Sequence, residues 1–347
     1  MIITKTPFRM SFFGGGTDIP EYFNKVGKKG AVISSTFDKY VYVTVRHLPR
    51  FFDYTSEIHY SKQERVVAVD EIEHPLVRNA MKYLDMHELH ISYDADLPNK
   101  TGLGTSSTFA VGLLNAFYAL KNKFVPKDML ARDAIYLERE LCQESGGWQD
   151  QIAAAYGGLN RIDFEDGEYR VTPILINQER KEKLNDNLML FFTGFTRFSA
   201  DIQECTKTEL RKKESIKRLD KMLGLVNEAQ QILENSDRNL DDFGVLLNEE
   251  WEIKRELSSE ISNETLDKIY SKALNAGAIG GKLLGAGGGG FFLFYVPQDR
   301  QKAVRKALRL MEVPFKFERN GTRVIYYSPE FYDVNGNLED AEEGLKK

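Results

Sequence analysis

A short polar loop ahead of a predicted helix holds residues that could bind a phosphate group. It reads KTGLGTSST over residues 100–108 and combines two glycines with a run of consecutive hydroxyl side chains that begins at Thr105. A helix N-terminus presents unpaired N–H groups and the positive end of the helix dipole, and glycines let a ligand approach the backbone. A simple capped turn is the alternative, but one serine would suffice for it. We therefore predict an anion site whose hydroxyl groups could also bind magnesium. Its residues are Gly102, Leu103, Gly104, Thr105, Ser106 and Ser107.

In a second glycine-rich stretch, TPFRMSFFGGGTDIP at residues 6–20, the glycines follow an apolar strand. A run of glycines that leads to an aspartate also favours a turn, so a purely structural role is a strong alternative. Arg9 is harder to explain in this way, because a guanidinium within an apolar strand needs an anionic partner, which could be a ligand carboxylate or phosphate. The candidate ligand-binding residues of this stretch are Gly14, Gly15, Gly16, Thr17 and Asp18.

A third glycine stretch, GAGGGG at residues 285–290, matches the spacing GxGxxG. The strand-like segment FFLFYV follows it, whereas a dinucleotide-binding fingerprint requires a helix at that point. A buried tight turn and a ligand-binding turn are equally compatible with this run of small residues. Gly287 and Gly288 are its candidate ligand-binding residues. The DFG at 242–244 has no HRD segment upstream, which excludes a protein kinase.

Asp150 lies in GGWQDQIAAAYGG, among glycines, a tryptophan and alanines that solvate a carboxylate poorly. Such a group would be either a helix N-cap or a base held close to a substrate hydroxyl. The residues alone leave both possibilities open.

The elements that must position these stretches mix strands and helices without a regular βαβ alternation, which predicts an α+β fold. β-branched and aromatic residues with partial alternation predict strands in the first part of the chain. Residues 199–270 have a mostly helical and charged pattern. We expect two domains, residues 1–180 and 181–347, with the boundary where strands give way to long helices.

Composition excludes several classes of protein. The 347 residues are 42% hydrophobic and 29% charged, as in an ordinary globular protein, and the net charge of −5 argues against a nucleic-acid partner. The sequence has no apolar run that could span a bilayer, and the segment MIITKTPFRM has no signal-peptide layout. Two cysteines, Cys142 and Cys205, cannot form a disulfide framework. We therefore expect a cytoplasmic protein without a membrane partner.

Three stretches in this order, TPFRMSFFGGGTD, PNKTGLGTSST and KLLGAGGGGFF, resemble those of the GHMP small-molecule kinases. This family includes galactokinase, homoserine kinase, mevalonate kinase and phosphomevalonate kinase. Each stretch alone is a weak signal, but their order and distances across essentially the whole chain make the resemblance specific. Within the family, GGGTD together with AVISSTFDKYVYVTV (31–45) is most similar to the kinases of D-glycero-D-manno-heptose 7-phosphate.

The resemblance implies a two-domain α+β fold. An N-terminal mixed-sheet domain, similar to domain 2 of ribosomal protein S5, would bind ATP, and a ferredoxin-like α+β domain would follow it. The loop at residues 100–108 would hold the ATP phosphates. Ser106 and Glu138 would bind Mg²⁺, with Glu140 as the alternative carboxylate; a helix glutamate paired with Arg132 or Arg139 is the structural alternative.

The resemblance also implies the chemistry of the site. Asp150 would be the catalytic base, and Arg9 would lie beside it and screen the charge that builds on the transferred phosphoryl group. The glycine stretch that ends in Asp18 would face a sugar, with the Asp18 carboxylate bonding ring hydroxyls. Galactokinases carry charged side chains where this chain has glycines, which counts against galactose. A second phosphate on the substrate would need a distant basic residue, for which Arg197 is a candidate and a solvated arginine the alternative.

We therefore expect a magnesium-dependent sugar 1-kinase that uses ATP, with D-glycero-D-manno-heptose 7-phosphate as the leading acceptor. The product would be the 1,7-bisphosphate for nucleotide-activated heptose. A kinase of a free sugar such as fucose, arabinose or galactose is the alternative within this class. A catalytically silent sugar and ATP sensor is the alternative from another class, and the presence of both Asp150 and Arg9 argues against it. Partners would be small molecules, and the chain would be a monomer or a homodimer.

Overall fold

Two β-sheets and nine helices make up the part of the chain that the computed structural model describes, residues 1–25, 27–99, 101–195 and 213–329. Arg197 and Cys205 lie outside these ranges. The strands, in chain order, are β1 Ile2–Phe13, β2 Gly30–His47, β3 Ser56–His59, β4 Gln63–Val66, β5 Leu89–Ala95, β6 Leu159–Glu165, β7 Glu168–Pro173, β8 Leu188–Phe192, β9 Gly280–Leu283, β10 Phe291–Tyr295, β11 Met311–Glu312, β12 Phe317–Glu318 and β13 Arg323–Tyr327. The helices are α1 Pro75–Tyr83, α2 Thr105–Leu120, α3 Lys127–Tyr136, α4 Gln149–Tyr156, α5 Gln178–Asn187, α6 Lys213–Glu234, α7 Asp241–Arg255, α8 Glu264–Asn275 and α9 Gln301–Leu308.

The first sheet is mixed and has the order β13-β1-β2-β5-β3-β4, with β6 and β12 also paired to β2, and β7 to β6. The long strand β2 pairs with β6 through its first residues and with β5 through its last, while β1 runs antiparallel along it. Only β3 and β5 are parallel among the described pairs. The register of β1 shifts after Pro7, because proline has no N–H for the ladder.

Helix α2 lies at the centre of the N-terminal part. It packs on β1 and β2 and is covered by α3 and α4. Most of its residues are buried, as expected for a helix that is apolar on nearly every face. Helix α3 continues into a π-helical turn, Leu137–Leu141, that carries Glu138. The helix N-terminus at Thr105 therefore has a rigid support.

The second sheet is antiparallel, with the order β11-β8-β10-β9. Its central strand β10 is entirely apolar and buried, and α7 packs on β9 and β10. The prediction of an α+β fold is confirmed by the two sheets with their separate groups of helices. The helical pattern over residues 199–270 is confirmed where the structure describes it, in α6, α7 and α8.

The end of the described chain returns to the first sheet. Strand β13 pairs with the edge of β1, and β12 pairs with β2. The expected domain at residues 181–347 does not account for these two strands, because a division by sequence position cannot show a strand that pairs back across the molecule. The described helices include none that is both long enough and apolar enough to cross a membrane.

Candidate active site

Residues 101–104 of the polar stretch form a loop that leads directly into α2, as predicted, and Thr105 begins the helix. Gly104 is the N-cap and has a φ of 74°, in the left-handed region that glycine adopts without strain. A Cβ at this position would lie 2.9 Å from Oδ2 of Asp150, so the loop backbone and that carboxylate face each other. The buried hydroxyl of Thr105 has no hydrogen-bond partner among the described residues. These features leave N–H and hydroxyl donors free to hold an anion. In the same loop Leu103 and Ser107 are buried, whereas Ser106 is exposed.

The loop also touches the third glycine stretch. A Cβ on Gly285 would lie 2.2 Å from Cα of Gly102, so the two backbones meet without any side chain between them. Gly287 and Gly288, predicted as ligand-binding residues, lie against Ile261: the Gly288 N–H donates to its carbonyl oxygen at 3.0 Å, and a Cβ on Gly287 would lie 2.7 Å from its Cα. A ligand role for these two glycines stays a prediction.

Arg9 and Asp150 form a bidentate ion pair across 141 residues of sequence. Nε of Arg9 donates to Oδ1 of Asp150 and the guanidinium NH2 group to Oδ2, both at 2.7 Å. The other terminal nitrogen donates to the carbonyl oxygen of Gly102 at 2.8 Å. β1 supplies the arginine, and the first turn of α4 supplies the aspartate, whose side chain makes no capping bond there. Trp148 rather than Asp150 occupies the N-cap of α4, so Asp150 does not cap this helix, and its role as a base stays a prediction.

A cleft opens beside this pair, between the N-terminal elements and α7 with its following loop. Five of the residues predicted to form the site line this cleft: Arg9, Gly15, Gly16, Asp18 and Asp150. Two residues of the same stretch, Gly14 and Thr17, are not among the residues that line the cleft, and both have partners within the protein. The Gly14 N–H donates to Glu250 at 3.0 Å, and the Thr17 hydroxyl lies 2.8 and 2.9 Å from the carbonyl oxygens of Gly14 and Ala31.

Asp18 is buried at the wall of the cleft. Its carboxyl oxygens accept hydrogen bonds from the backbone N–H of Gly16 at 2.9 Å and of Gln149 at 3.3 Å. Burial, followed by repulsion from the nearby Asp150 carboxylate, raises the pKa of Asp18. The carboxyl oxygens face the cleft and can accept hydrogen bonds from a polyhydroxyl ligand.

Two carboxylates stand beside the start of α2, where a metal ion would be needed. Glu138 is buried, and its Oε2 accepts from the amide of Gln151. Glu144, which sequence reasoning missed, lies near the Ser106 side chain, and burial followed by repulsion from Glu138 raises its pKa. This set of oxygen donors suits Mg²⁺. Glu140, the alternative to Glu138, is exposed.

A second cluster of possible metal ligands lies elsewhere, on β3 and β5. The ligand atoms of Glu57, His59 and His90 lie within 4.8 Å of one another. Arg65 and Gln63 both donate to Glu57 at 2.8 Å, so this carboxylate already has cationic and neutral partners. None of the three ligand residues lines the cleft.

Two buried lysines at the cleft were also missed. Lys254 on α7 and Lys282 on β9 both line it. Lys254 was missed because charged residues on a predicted helix usually indicate a solvated face. The helical spacing of Phe243, Leu247 and Trp251 could have shown that Lys254 lies on their buried face. Arg197, predicted to bind a distant phosphate, lies outside the described residues.

Comparison with known proteins agrees with this geometry. Residues 72–158 match the family model "GHMP kinases N terminal domain", and residues 229–312 match "GHMP kinases C terminal". The D-glycero-alpha-D-manno-heptose 7-phosphate kinase of Campylobacter jejuni is 32% identical over 93% of this chain and 98% of its own length. The bifunctional fucokinase/GDP-fucose pyrophosphorylase of Arabidopsis thaliana is 27% identical over 88% of this chain, and the match covers 31% of that protein.

A solved structure described as a D-glycero-D-manno-heptose 1-phosphate kinase from Bacteroides thetaiotaomicron has a TM-score of 0.77 and 24% identity. It covers 94% of this chain, and the match includes 100% of the solved chain. At this identity the likeness concerns the fold, and it confirms the expected two-domain GHMP kinase architecture. Together with the family models and the full-length relative, it establishes that the chain belongs to the GHMP kinase family.

Proposed function

We propose that this chain is an ATP-dependent sugar 1-kinase whose acceptor is the anomeric hydroxyl of D-glycero-D-manno-heptose 7-phosphate. The observation that carries the proposal is the bidentate pair of Arg9 and Asp150, held where the predicted phosphate loop meets the cleft. A carboxylate at this junction faces both a nucleotide on the loop and an acceptor in the cleft. The full-length similarity to the heptose 7-phosphate kinase of C. jejuni supports the choice of acceptor.

The residues of the cleft would divide the work as follows. The oxygen of the anomeric hydroxyl bonds to the γ-phosphorus of ATP, and ADP leaves. The Asp150 carboxylate accepts the proton of that hydroxyl. Arg9 holds Asp150 in place and offsets negative charge that develops on the transferred group. Asp18 bonds hydroxyls of the sugar ring and thereby orients the acceptor, which is the larger part of catalysis in phosphoryl transfer.

The residues beside α2 fit the Mg²⁺ ion that the family implies. Ser106 and Glu138 would hold it, joined by Glu144. Bound there, Mg²⁺ would neutralise charge on the ATP phosphates. A distant phosphate on the acceptor would require another cation, and Arg197 remains the candidate from the sequence.

An acceptor panel tests the proposal. ADP release by the purified chain with Mg²⁺ and ATP is measured without sugar, with D-glycero-D-manno-heptose, with its 7-phosphate, and with fucose and galactose. We expect the 7-phosphate to have the highest kcat/KM, by about two orders of magnitude over the free heptose, since two or three charge-assisted hydrogen bonds contribute about 1.5–3 kcal/mol each. Equal efficiency with fucose would instead identify a free-sugar kinase. ATP binding without turnover on any sugar would identify a sensor.

A further inference from the structure

A group of three buried charges lies beneath the cleft, between α7, β9 and the end of β1. Glu250, Lys254 and Lys282 are 0%, 8% and 2% exposed. Lys282 donates to Glu250 at 3.2 Å and to the carbonyl oxygen of Phe12 at 2.7 Å. One glutamate and one lysine therefore form an ion pair, and Lys254 is a second, additional positive charge. Burying a charge without a counter-charge is costly, so this lysine calls for an explanation.

The side chain of Lys254 is held in a fixed position. Its ammonium donates to the carbonyl oxygens of Leu283 at 3.1 Å and Gly285 at 2.5 Å. Among the described residues no carboxylate forms an ion pair with it, although Glu250 lies one turn earlier on the same helix. An ammonium has three N–H donors, so one donor is left after these two bonds. Because Lys254 lines the cleft, that donor is available to a ligand.

The position of this ammonium relates it to the reaction. Gly285, which accepts one of its bonds, is the residue whose backbone meets Gly102 of the phosphate loop. Arg9, which also lines the cleft, donates to the Gly102 carbonyl oxygen at 2.8 Å. Arg139, another cation of the cleft wall, donates from its two terminal nitrogens to the carbonyl oxygens of Glu144, Ser145 and Gly147, and its buried Nε has no partner among the described residues.

We propose that Lys254 binds an anionic phosphate oxygen in the cleft and is, with Arg9, a second cation of the active site. This inference rests on the proposed function, which places phosphate groups in the cleft. The oxygen belongs either to the phosphoryl group in transfer or to a phosphate on the acceptor. A role limited to fixing the turn at Gly285 would not need a charge in this position, and the cost of burying one makes a purely structural lysine unfavourable.

The electrostatic surroundings are consistent with this role. Burial, followed by the charge of Lys282, lowers the pKa of Lys254 to about 7. Arg9 also lowers the pKa, whereas Glu250 and Asp18 oppose the shift. A bound phosphate oxygen would favour the charged ammonium, so ligand binding should be coupled to the uptake of a proton by the protein.

Proton uptake gives a direct test on the unaltered protein. Binding of Mg²⁺ with a non-hydrolysable ATP analogue, and of heptose 7-phosphate, is measured by calorimetry at about pH 8 in buffers with different heats of ionisation. At this pH phosphate monoesters have lost both protons, since their second pKa is about 6, so any uptake belongs to the protein. We expect uptake approaching one proton with at least one of the two ligands. No uptake with either ligand would overturn the proposal.

Substitution then separates the two sources of the oxygen. Lys254→Met removes the charge and keeps the length of the chain, and Lys268→Met, on the exposed face of α8, is the matched control. If the oxygen is on the transferred group, kcat falls about 10- to 1000-fold with phosphorylated and free heptose alike. If it is on the acceptor, KM rises about 10-fold or more for the 7-phosphate and stays unchanged for the free sugar.

A folded Lys254→Met variant with unchanged kcat, KM and proton uptake would show that the lysine is structural. Should this variant fail to fold, Lys254→Arg, which keeps the charge, replaces it, and the calorimetry of the unaltered protein still decides. The ATP-analogue measurement needs no sugar, so it separates failure of this inference from failure of the heptose assignment.

Discussion

At the scale of single residues, the site depends on one arginine that performs two tasks. Arg9 bonds both oxygens of Asp150 and the carbonyl oxygen of Gly102, and so fixes a carboxylate relative to the loop that would hold a nucleotide. A lysine could not replace it, because an ammonium lacks the planar fork that matches a carboxylate. The geometry of the proposed reaction centre is therefore set by contacts within the protein.

The first prediction concerns the proposed base. Asp150→Asn should lower kcat by roughly two to four orders of magnitude with little change in ATP affinity, because the amide cannot accept the proton. Asp163→Asn is a suitable control, since Asp163 forms a comparable ion pair with Arg161 at 2.8 Å away from the cleft. Steady-state kinetics and calorimetry measure the two quantities. Near-normal turnover in Asp150→Asn would assign the aspartate a structural role.

The second prediction concerns the three oxygen donors beside α2. Ser106→Ala, Glu138→Gln and Glu144→Gln should each raise the Mg²⁺ concentration needed for half-maximal activity, because each removes a proposed metal contact. Glu140→Gln, one residue beyond Arg139 and exposed, should leave the requirement unchanged. Magnesium titration of the initial rate measures this. Identical titrations for all four variants would contradict the site.

The third prediction follows from the lowered pKa of Lys254. Its pKa is about 7 in the folded chain, whereas an unperturbed lysine has a pKa of about 10.4. Between these values the unfolded chain binds more protons, so this residue makes the free energy of unfolding rise with pH, by a total on the order of a few kcal/mol. Below about pH 7 the cost of burying the charge is fully present.

Comparing the protein with Lys254→Met isolates this contribution, because other titrating groups are common to both. Urea unfolding at about pH 7, 8 and 9 should show the stability of the protein rising relative to the variant. A difference that is the same at every pH would show that the ammonium is not destabilised by burial.

At the scale of elements, the N-terminus of α2 combines two properties. It presents N–H and hydroxyl donors, and it leaves no room for a side chain at position 104. The fourth prediction is that Gly104→Val abolishes ATP binding and activity while the fold survives. A branched side chain is strained at a φ of 74°, and its Cβ would lie 2.9 Å from Oδ2 of Asp150. Circular dichroism and calorimetry with ATP measure fold and binding. Full nucleotide affinity in a native-like variant would exclude the loop from the site.

Residue patterns alone could predict the loop and the helix after it, because glycines, hydroxyl groups and apolar spacing are local signals. The pairing of Arg9 with Asp150 joins residues far apart in sequence, and the resemblance to a family suggested it where spacing could not. Lys254 and Glu144 were missed for a different reason. A charged side chain in a helix or loop is usually solvated, and only the packing around it shows otherwise.

At the scale of the whole molecule, the last described strands return to the first sheet. β13 closes the edge of β1, and the buried side chain of Asn185 on α5 joins the segment of β12 by hydrogen bonds. Its Oδ1 accepts from the Phe317 N–H at 2.8 Å and its amide donates to the Phe315 carbonyl oxygen at 3.2 Å. No division at one sequence position could describe this arrangement, because the second half of the chain completes the first sheet.

The contact between Gly102 and Gly285 has a consequence for how the site excludes water. Two backbones touch there with no side chain between them, so the contact sets the smallest possible gap between the phosphate loop and the turn after β9. A single methyl group at Gly285 would act as a wedge. Gly285→Ala should therefore let water reach the nucleotide, and ATP should be hydrolysed without sugar at a rate above that of the unaltered protein. Phosphate release in the absence of acceptor measures this leak, with circular dichroism to verify the fold; an unchanged rate in a folded variant would show that the seal lies elsewhere.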